Sequence, residues 1–148
     1  MRQVPGYPLW VGTARDTRDV RAILDAEIAA VIDLAIEELP ATLTRELVYL
    51  RFPVIDGPEN SPAVLRAAVA ALVELVAAGV PTLVACGAGM SRSPALAAAA
   101  VACCERRPMA AVLALMPGPV DVSPGLQRDL IESVEPLRGS TGRNQGVA

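Results

Sequence analysis

The stretch that most constrains this chain is residues 84–93, which read Val-Ala-Cys-Gly-Ala-Gly-Met-Ser-Arg-Ser. An apolar run at residues 82–85 leads into Cys86, and five small or flexible residues then lead to Arg92, which opens an alanine-rich segment. This order predicts a strand, a tight loop and a helix. Backbone N–H groups at a helix start lack partners within the helix, and the helix dipole adds partial positive charge there. The stretch therefore predicts an anion-binding loop.

The residues of this loop indicate which anion it binds. Gly87 and Gly89 allow tight curvature because they carry no Cβ atom, and the planar guanidinium of Arg92 can bind two phosphate oxygens at once. Cys86 then faces the bound phosphorus, and a helix N-terminus beside an arginine favours the reactive thiolate. We therefore predict a phosphate site with Cys86 as its nucleophile. The predicted phosphate-binding residues are Gly87, Ala88, Gly89, Met90, Ser91 and Arg92.

The pattern Cys86-x-x-Gly89-x-Ser91-Arg92-Ser93 resembles the Cys-x5-Arg signature loop of cysteine-dependent dual-specificity protein phosphatases. The resemblance implies that Cys86 attacks phosphorus to give a phosphocysteine, that Arg92 holds the equatorial oxygens, and that Ser93 assists breakdown of the intermediate. The family usually has a histidine where this chain has Ala85. All thirteen basic residues are arginines, and this bias is typical of GC-rich bacterial genes. The chain therefore resembles a bacterial-type member of the family that lacks the histidine. The competing interpretation, a buried strand cysteine before a glycine turn, is disfavoured by the full pattern.

The composition limits the possible classes of function. A chain of 148 residues with 53% hydrophobic content suits one compact domain, which we place at residues 1–138, before a disordered tail at residues 139–148. A net charge of −3 and few aromatic residues offer neither a basic groove nor stacking platforms, so nucleic acid is not an expected partner. The chain has no histidine, which excludes Ser-His-Asp and Cys-His catalysis and histidine metal ligation. We expect no metal site and no cofactor.

The other cysteines and the apolar segments indicate the cellular setting. Cys103 and Cys104 bring the cysteine count to three, and an odd number with an adjacent pair favours a reducing cytoplasm over a secreted disulfide framework. Both lie roughly 17 Å along the predicted helix from its start, and we interpret them as core residues. The first ten residues lack the apolar region of a signal peptide. The most apolar window, residues 63–86, is interrupted by charges, so we expect a soluble protein without a membrane span.

Apolar runs alternate with amphipathic segments along the chain. The β-branched run at residues 28–34 shows no polar alternation, which is the pattern of a strand covered on both faces. Strands are predicted at residues 8–12, 28–34, 47–55 and 81–85, and helices at residues 16–26, 61–79, 92–105, 108–115 and 123–134. This order predicts an α/β fold, a three-layer sandwich with a mainly parallel central sheet flanked by helices. The resemblance implies the same phosphotyrosine-phosphatase-like architecture.

Several polar residues mark the ends of these elements. Asp16 or Thr17 is the candidate cap of the first helix, and Ser61 before a proline is typical of a helix start. Gly79 is expected to end that helix in a left-handed conformation. The acidic pair at residues 37 and 38, followed by a proline, is interpreted as a solvated turn.

In the family that the loop resembles, a general-acid aspartate lies about thirty residues before the cysteine. Asp56 lies thirty residues before Cys86 and ends the strand predicted at residues 47–55, so it can approach the loop and protonate the leaving-group oxygen. The alternative is an aspartate that only shapes the Asp-Gly-Pro turn. Glu59, and then Asp121, are the substitute candidates for the acid.

Three classes of function fit these features. The first is a phosphomonoester hydrolase of the dual-specificity type, acting on tyrosine, serine or threonine phosphate in a protein or on a small phosphomonoester. The second is a phosphate-binding module with little or no turnover, which Ala85 makes plausible. The third is a rhodanese-like sulfurtransferase, since these enzymes also place a cysteine at the start of an anion-cradling loop, although the position of Arg92 favours phosphate. The loop carries no other cation, so inositol polyphosphates and RNA 5′-triphosphates are secondary candidates.

Overall fold

Parallel pairing of four apolar strands builds the centre of the molecule. The computed structural model of the chain describes the backbone of residues 1–140 and the side chains of all of these except 136 and 138–140. The strands are β1 (Arg2–Gln3), β2 (Leu9–Thr13), β3 (Ala30–Ala35), β4 (Val48–Val54) and β5 (Thr82–Cys86). They form one sheet in the order β1-β2-β5-β3-β4, in which only β1 runs antiparallel to its neighbour. The predicted α/β class with a mainly parallel sheet is confirmed, and the short strand β1 is an addition that the sequence pattern did not predict.

Helices cover both faces of the sheet. The helices are α1 (Val20–Asp25), α2 (Pro62–Ala77), α3 (Arg92–Glu105), α4 (Met109–Leu113) and α5 (Pro124–Ser140), with a 3-10 turn at Asp16–Arg18 before α1. The larger core cluster packs one face of the sheet against α2, α3, α4 and α5. A smaller cluster packs the other face against α1 through Ile23. Every residue of β3 and β5 is buried, which is why these two strands show no alternation of apolar and polar residues.

The position of β5 between β2 and β3 decides where Cys86 lies. Pairing along β5 aligns Cys86 with Thr13 at the end of β2, and Ala85 with Asp33 in β3. Parallel strands end at the same edge of a sheet, so the segments that follow β2, β3, β4 and β5 meet there. Ligands of open α/β sheets bind at this carboxyl edge.

The caps of the helices agree with the sequence in part. Ser61 accepts a hydrogen bond from the backbone N–H of Val64 (3.4 Å), and Gly79 has a φ of +70°, both as predicted. The cap predicted for α1 is wrong, because the chain first makes the 3-10 turn and α1 begins only after Asp19. The Asp19 side chain accepts a hydrogen bond from the N–H of Ala22 at 3.0 Å.

Two further predictions change at the C-terminal half of the chain. Helix α5 extends to Ser140 instead of ending at residue 134, and residues 141–148 of the predicted tail lie outside the described residues. Cys103 packs against the larger core cluster, but Cys104 is exposed, so its interpretation as a core residue is wrong. Cys104 lies near the end of α3, where the helix extends past the core. Within residues 1–140, no helix is both long and apolar enough to cross a lipid bilayer.

Helix α3 packs as a wall of small side chains behind the carboxyl edge. Every residue from Arg92 to Ala102 is buried, and most of them are alanines. Because a helix this enclosed contacts the sheet, α2, α4 and α5 together, its start cannot shift without moving several elements.

We expect Ala98→Leu to lower the free energy of unfolding by about 1–3 kcal/mol, because three added heavy atoms at a fully buried position overpack the core. Urea denaturation followed by circular dichroism measures this change. The control Ala67→Leu makes the same substitution at an exposed position of α2 and should stay within about 0.5 kcal/mol of the unsubstituted protein. Equal losses in both variants would contradict this account of α3 packing.

Candidate active site

The Cys86 loop, residues 86–92, joins β5 to α3 at the carboxyl edge of the sheet. The Cys86 side chain is buried, with 2% of the residue exposed. Its Sγ accepts a hydrogen bond from the N–H of Gly89 at 3.3 Å and lies 3.3 Å from the Oγ of Ser93. The Ser93 hydroxyl in turn donates to the carbonyl of Gly12 at 3.3 Å. The sulfur therefore lies inside the curl of the loop, between a backbone donor and a hydroxyl.

Gly89 has a structural reason to be glycine. It adopts a φ of +70°, and a Cβ atom there would come within 3.0 Å of the Gly12 carbonyl oxygen. The loop therefore rests directly on the end of β2, which keeps the Gly89 N–H beside the sulfur.

Three successive carbonyl groups of the loop are bound from outside it. The carbonyl of Gly89 accepts from a guanidinium N–H of Arg2 (2.7 Å), and that of Met90 from the N–H of Asp121 (2.9 Å). The carbonyl of Ser91 accepts from the N–H of Ala95 in the first turn of α3 (3.0 Å). The C=O and the following N–H of a trans peptide point in opposite directions. The N–H groups of residues 90, 91 and 92 therefore point away from these partners, and they donate to no protein acceptor within residues 1–140.

Arg92 lies beneath the loop with only 7% of the residue exposed. Its Nη1 donates to the carbonyls of Leu34 (3.2 Å) and Val54 (3.3 Å), the ends of β3 and β4. Glu37 binds the end of the guanidinium through both carboxylate oxygens, one of them 2.7 Å from Nη1 and the other in contact with Nη2. Among the described residues, the buried Nε–H has no acceptor.

Glu37 is the site residue that the sequence interpretation missed. The acidic pair was predicted to be a solvated turn, but Glu37 turns inward onto Arg92, and its side chain is 47% exposed. The hydrogen bonds from Arg92 lower the pKa of Glu37 from 4.5 to about 2 and raise the pKa of Arg92. A Cβ at Gly87 would overlap the Glu37 carboxylate, so glycine at this position makes room for the pair.

A second polar cluster holds the loop that carries Glu37. Arg51 in β4 donates to the carbonyl of Ala35 at 2.8 Å and also binds the carbonyl of Glu38. Its Nη1 lies 3.7 Å from the Oδ2 of Asp33, a buried carboxylate that also accepts from the Tyr49 hydroxyl (2.6 Å). These contacts hold the backbone on both sides of Glu37, at Ala35 before it and at Glu38 after it.

Asp56 follows β4 and reaches the Cys86 loop, as its position in the sequence predicted. The Ser91 hydroxyl donates to its Oδ1 at 2.5 Å and accepts from the N–H of Ser123 at 3.2 Å. Asn60 closes the turn behind Asp56 by binding the N–H and C=O of Ile55 (2.8 and 3.1 Å) and the C=O of Gly57 (2.9 Å). A carboxyl group is therefore held at the mouth of the loop.

The two substitute acids lie differently. Glu59 is exposed, and its backbone adopts a left-handed conformation with a φ of +72°. Asp121 is exposed and contacts the loop through its backbone N–H. Of the three carboxylates, Asp56 is the one whose side chain binds the loop.

Comparison with known proteins gives structural neighbours. No protein-family model matches the sequence, and a search of curated proteins finds no match. The structure is similar to human DUSP28, with a TM-score of 0.77 and 25% sequence identity over 91% of this chain and 96% of that one. It is also similar to DUSP15 (TM-score 0.76, 22% identity, 100% and 98% covered). A mouse putative dual specificity phosphatase complexed with zinc tungstate gives a TM-score of 0.78 at 22% identity, with 90% and 86% covered.

We expect Glu37→Gln to make the protein less stable at pH 7. We also expect its free energy of unfolding to depend less on pH between about pH 4.5 and 2. The folded-state pKa of Glu37 lies below its ordinary value, so ionised Glu37 stabilises the fold above pH 4.5, and this contribution is lost as pH falls towards 2. Urea denaturation at pH 7, 5 and 3 measures the difference. Glu46→Gln, which alters an exposed surface pair, is the control. A difference between the Glu37→Gln variant and the unsubstituted protein that stays constant with pH would contradict this role.

Proposed function

We propose that this chain, which has the fold of the dual-specificity phosphatases, hydrolyses phosphomonoesters through a phosphocysteine on Cys86. Its structural neighbours support a phosphatase function. The observation that carries the proposal is the unpartnered, buried Nε–H of Arg92 in the loop that contains the Cys86 thiol. A buried donor without an acceptor is costly unless a ligand completes it.

The contacts of Arg92 leave one edge of its guanidinium available. The group has five N–H donors. Nη1 is used by two carbonyls and Glu37, and one N–H of Nη2 is used by Glu37. The Nε–H and the second N–H of Nη2 remain, and they form the side-on pair that binds two oxygens of a phosphate. Glu37 therefore holds the arginine from its end while the side faces the anion.

In the first step, the Cys86 thiolate attacks phosphorus, so an S–P bond forms as the P–O bond to the leaving group breaks. The N–H groups of residues 90–92, together with the Nε–H and the second Nη2 N–H of Arg92, bind the phosphoryl oxygens as charge redistributes. Asp56 gives its proton to the leaving oxygen and becomes a carboxylate. The Ser91 hydroxyl can accept from the acid and donate to the carboxylate, so it holds Asp56 in both states.

In the second step, water attacks the phosphocysteine while the Asp56 carboxylate takes a proton from that water. The S–P bond breaks, phosphate leaves, and the Cys86 thiolate is restored. The Ser93 hydroxyl, 3.3 Å from Sγ, can rotate from the Gly12 carbonyl to donate to the departing sulfur. This contact gives Ser93 its proposed role in breakdown of the intermediate.

The usual histidine is replaced by an alanine, whose side chain cannot donate a hydrogen bond. Ala85 is fully buried in the smaller core cluster, on the α1 face of the sheet. The thiolate is instead stabilised by the Gly89 N–H, the start of α3 and Arg92. The nucleophile must stay reduced to act, so the reducing cytoplasm is the compartment that suits the proposed reaction.

The mouth of the loop suits a phosphorylated side chain of a protein. Ile36, Ile55 and Met90 follow β3, β4 and β5 and are 50%, 46% and 39% exposed, which offers apolar contacts around the ester. The nearby carboxylates of Glu37 and Asp56 disfavour substrates with several phosphates. We therefore propose phosphotyrosine, phosphoserine or phosphothreonine proteins as substrates, with small phosphomonoesters as the second class.

We expect Cys86→Ser to lower kcat for p-nitrophenyl phosphate by at least about 10⁴-fold, because a hydroxyl is a poor nucleophile in a site that relies on a thiolate. The same variant should still bind tungstate in calorimetry, since the amides and Arg92 remain. Turnover that survives in Cys86→Ser would refute the phosphocysteine mechanism.

The second candidate function is a phosphate-binding module, which the loss of the histidine at Ala85 favours. Tungstate binding by the unsubstituted protein without turnover of any aryl phosphate or phosphopeptide in a panel would support it. The same panel separates protein from small-molecule substrates.

We expect Asp56→Asn to lower kcat/KM by about 10²–10⁴-fold for alkyl phosphates and by less for p-nitrophenyl phosphate, whose leaving group needs less protonation. The amide can still accept from Ser91, so the contact with the loop is kept while proton transfer to the leaving group and from water is lost. The falling limb of the pH–rate profile should also flatten in this variant.

The control is Glu59→Gln, which neutralises the other carboxylate of the same turn. An unchanged pH profile in Asp56→Asn with a changed one in Glu59→Gln, or in Asp121→Asn, would move the acid to that residue.

A further inference from the structure

Arg2 is a cation beside the Cys86 loop that no part of the proposed reaction uses. It lies in the two-residue edge strand β1, pairs with Val11 of β2, and donates from Nη2 to the carbonyl of Gly89 at 2.7 Å. Residues 2 and 89 are far apart in sequence, so this contact exists only because β1 folds back beside β2.

We propose that Arg2 is a positioning residue, which sets the orientation of the Gly89–Met90 peptide so that the Met90 N–H faces the anion. This inference rests on the proposed phosphate site. Arg2 binds the carbonyl side of the peptide from outside the loop, and the trans geometry places the Met90 N–H on the opposite side. Arg2 therefore acts on the anion through the backbone.

The conformation of Gly89 makes this peptide the one that needs a fixed partner. Its φ of +70° is readily exchanged for other values in glycine, so the residue does not determine the direction of its own carbonyl. The next two carbonyls are bound by backbone N–H groups, of Asp121 and Ala95. The Gly89 carbonyl is bound by a side chain, and its orientation can therefore be changed by substitution.

Gly118 leaves room for the Arg2 guanidinium. A Cβ atom at residue 118 would overlap the Nη1, Cζ and Nε atoms of Arg2, so the guanidinium occupies the space that a side chain at residue 118 would need. Gly118 belongs to the Met-Pro-Gly-Pro break between α4 and α5, and its φ is +80°. Arg2 thus spans from this break to the loop.

The test measures tungstate binding by calorimetry for the full chain and four variants. Arg2→Gln should weaken tungstate about tenfold, the loss expected for one misoriented donor to a charged oxygen. Gly118→Ala should weaken it to a similar degree, because the added methyl displaces Arg2 while the charge remains. The double variant should bind no more weakly than Arg2→Gln alone, because Gly118→Ala then has no guanidinium to displace.

The control is Arg21→Gln, which removes the same charge from an exposed position on α1 and should leave tungstate affinity unchanged. Thermal melting of each variant separates stability from binding, since backbone strain at Gly118 lowers the melting temperature whether or not Arg2 is present. In the unsubstituted protein, tungstate should shift the Met90 amide signal in a ¹H–¹⁵N spectrum, and Arg2→Gln should reduce that shift.

Binding by Arg2→Gln within twofold of the unsubstituted protein would overturn the inference and leave the proposed function intact. Additive losses in the double variant would also overturn it, because they would show that Gly118 acts independently of Arg2. If Arg2→Gln does not fold, Gly118→Ala carries the test, and unchanged affinity there would refute the proposal. Absence of tungstate binding in the unsubstituted protein would instead refute the phosphate site itself.

Discussion

The buried guanidinium of Arg92 holds the carboxyl edge of the sheet together. It binds carbonyls near the ends of β3 and β4 and lies at the start of the helix that follows β5, so one side chain connects two strand ends to the start of α3. A buried charge without a partner would be strongly destabilising. Glu37 supplies that partner from the surface loop after β3. The arrangement of the strand ends, the loop and the helix start depends on the ion pair between Arg92 and Glu37.

The parts of the candidate site whose positions follow from the sequence are those whose reasons are local. The glycines, the cysteine and the arginine follow one another in the sequence, and the strand–loop–helix order can be read from residues 82–93 and the alanines after them. Asp56 was chosen because the resembled family has its acid about thirty residues before the cysteine and because it follows a strand at the edge where the loop lies, and its contact with Ser91 places its side chain at the loop. Parallel topology brings such positions together without knowledge of any individual contact.

The parts that were missed depend on contacts between distant segments. Glu37 was interpreted as solvated because an acidic pair before a proline has the composition of a surface turn, and its partner lies 55 residues away. Arg2 has no motif around it, and its contact requires β1, a strand of two residues too short to show a pattern. Cys104 was placed in the core because free cysteine is usually buried, but residue type does not show where along a helix the core ends.

The buried, alanine-rich segment of α3, residues 92–102, separates positions that tolerate larger side chains from positions that do not. Larger side chains at these buried positions overpack the core beside the loop, so an engineer who wishes to alter selectivity has little freedom behind the cysteine. The freedom lies in the segments after β3 and β4, where Ile36 and Ile55 are half exposed. Diversity libraries confined to those two segments would vary the approach to the cysteine while the scaffold that holds it stays constant.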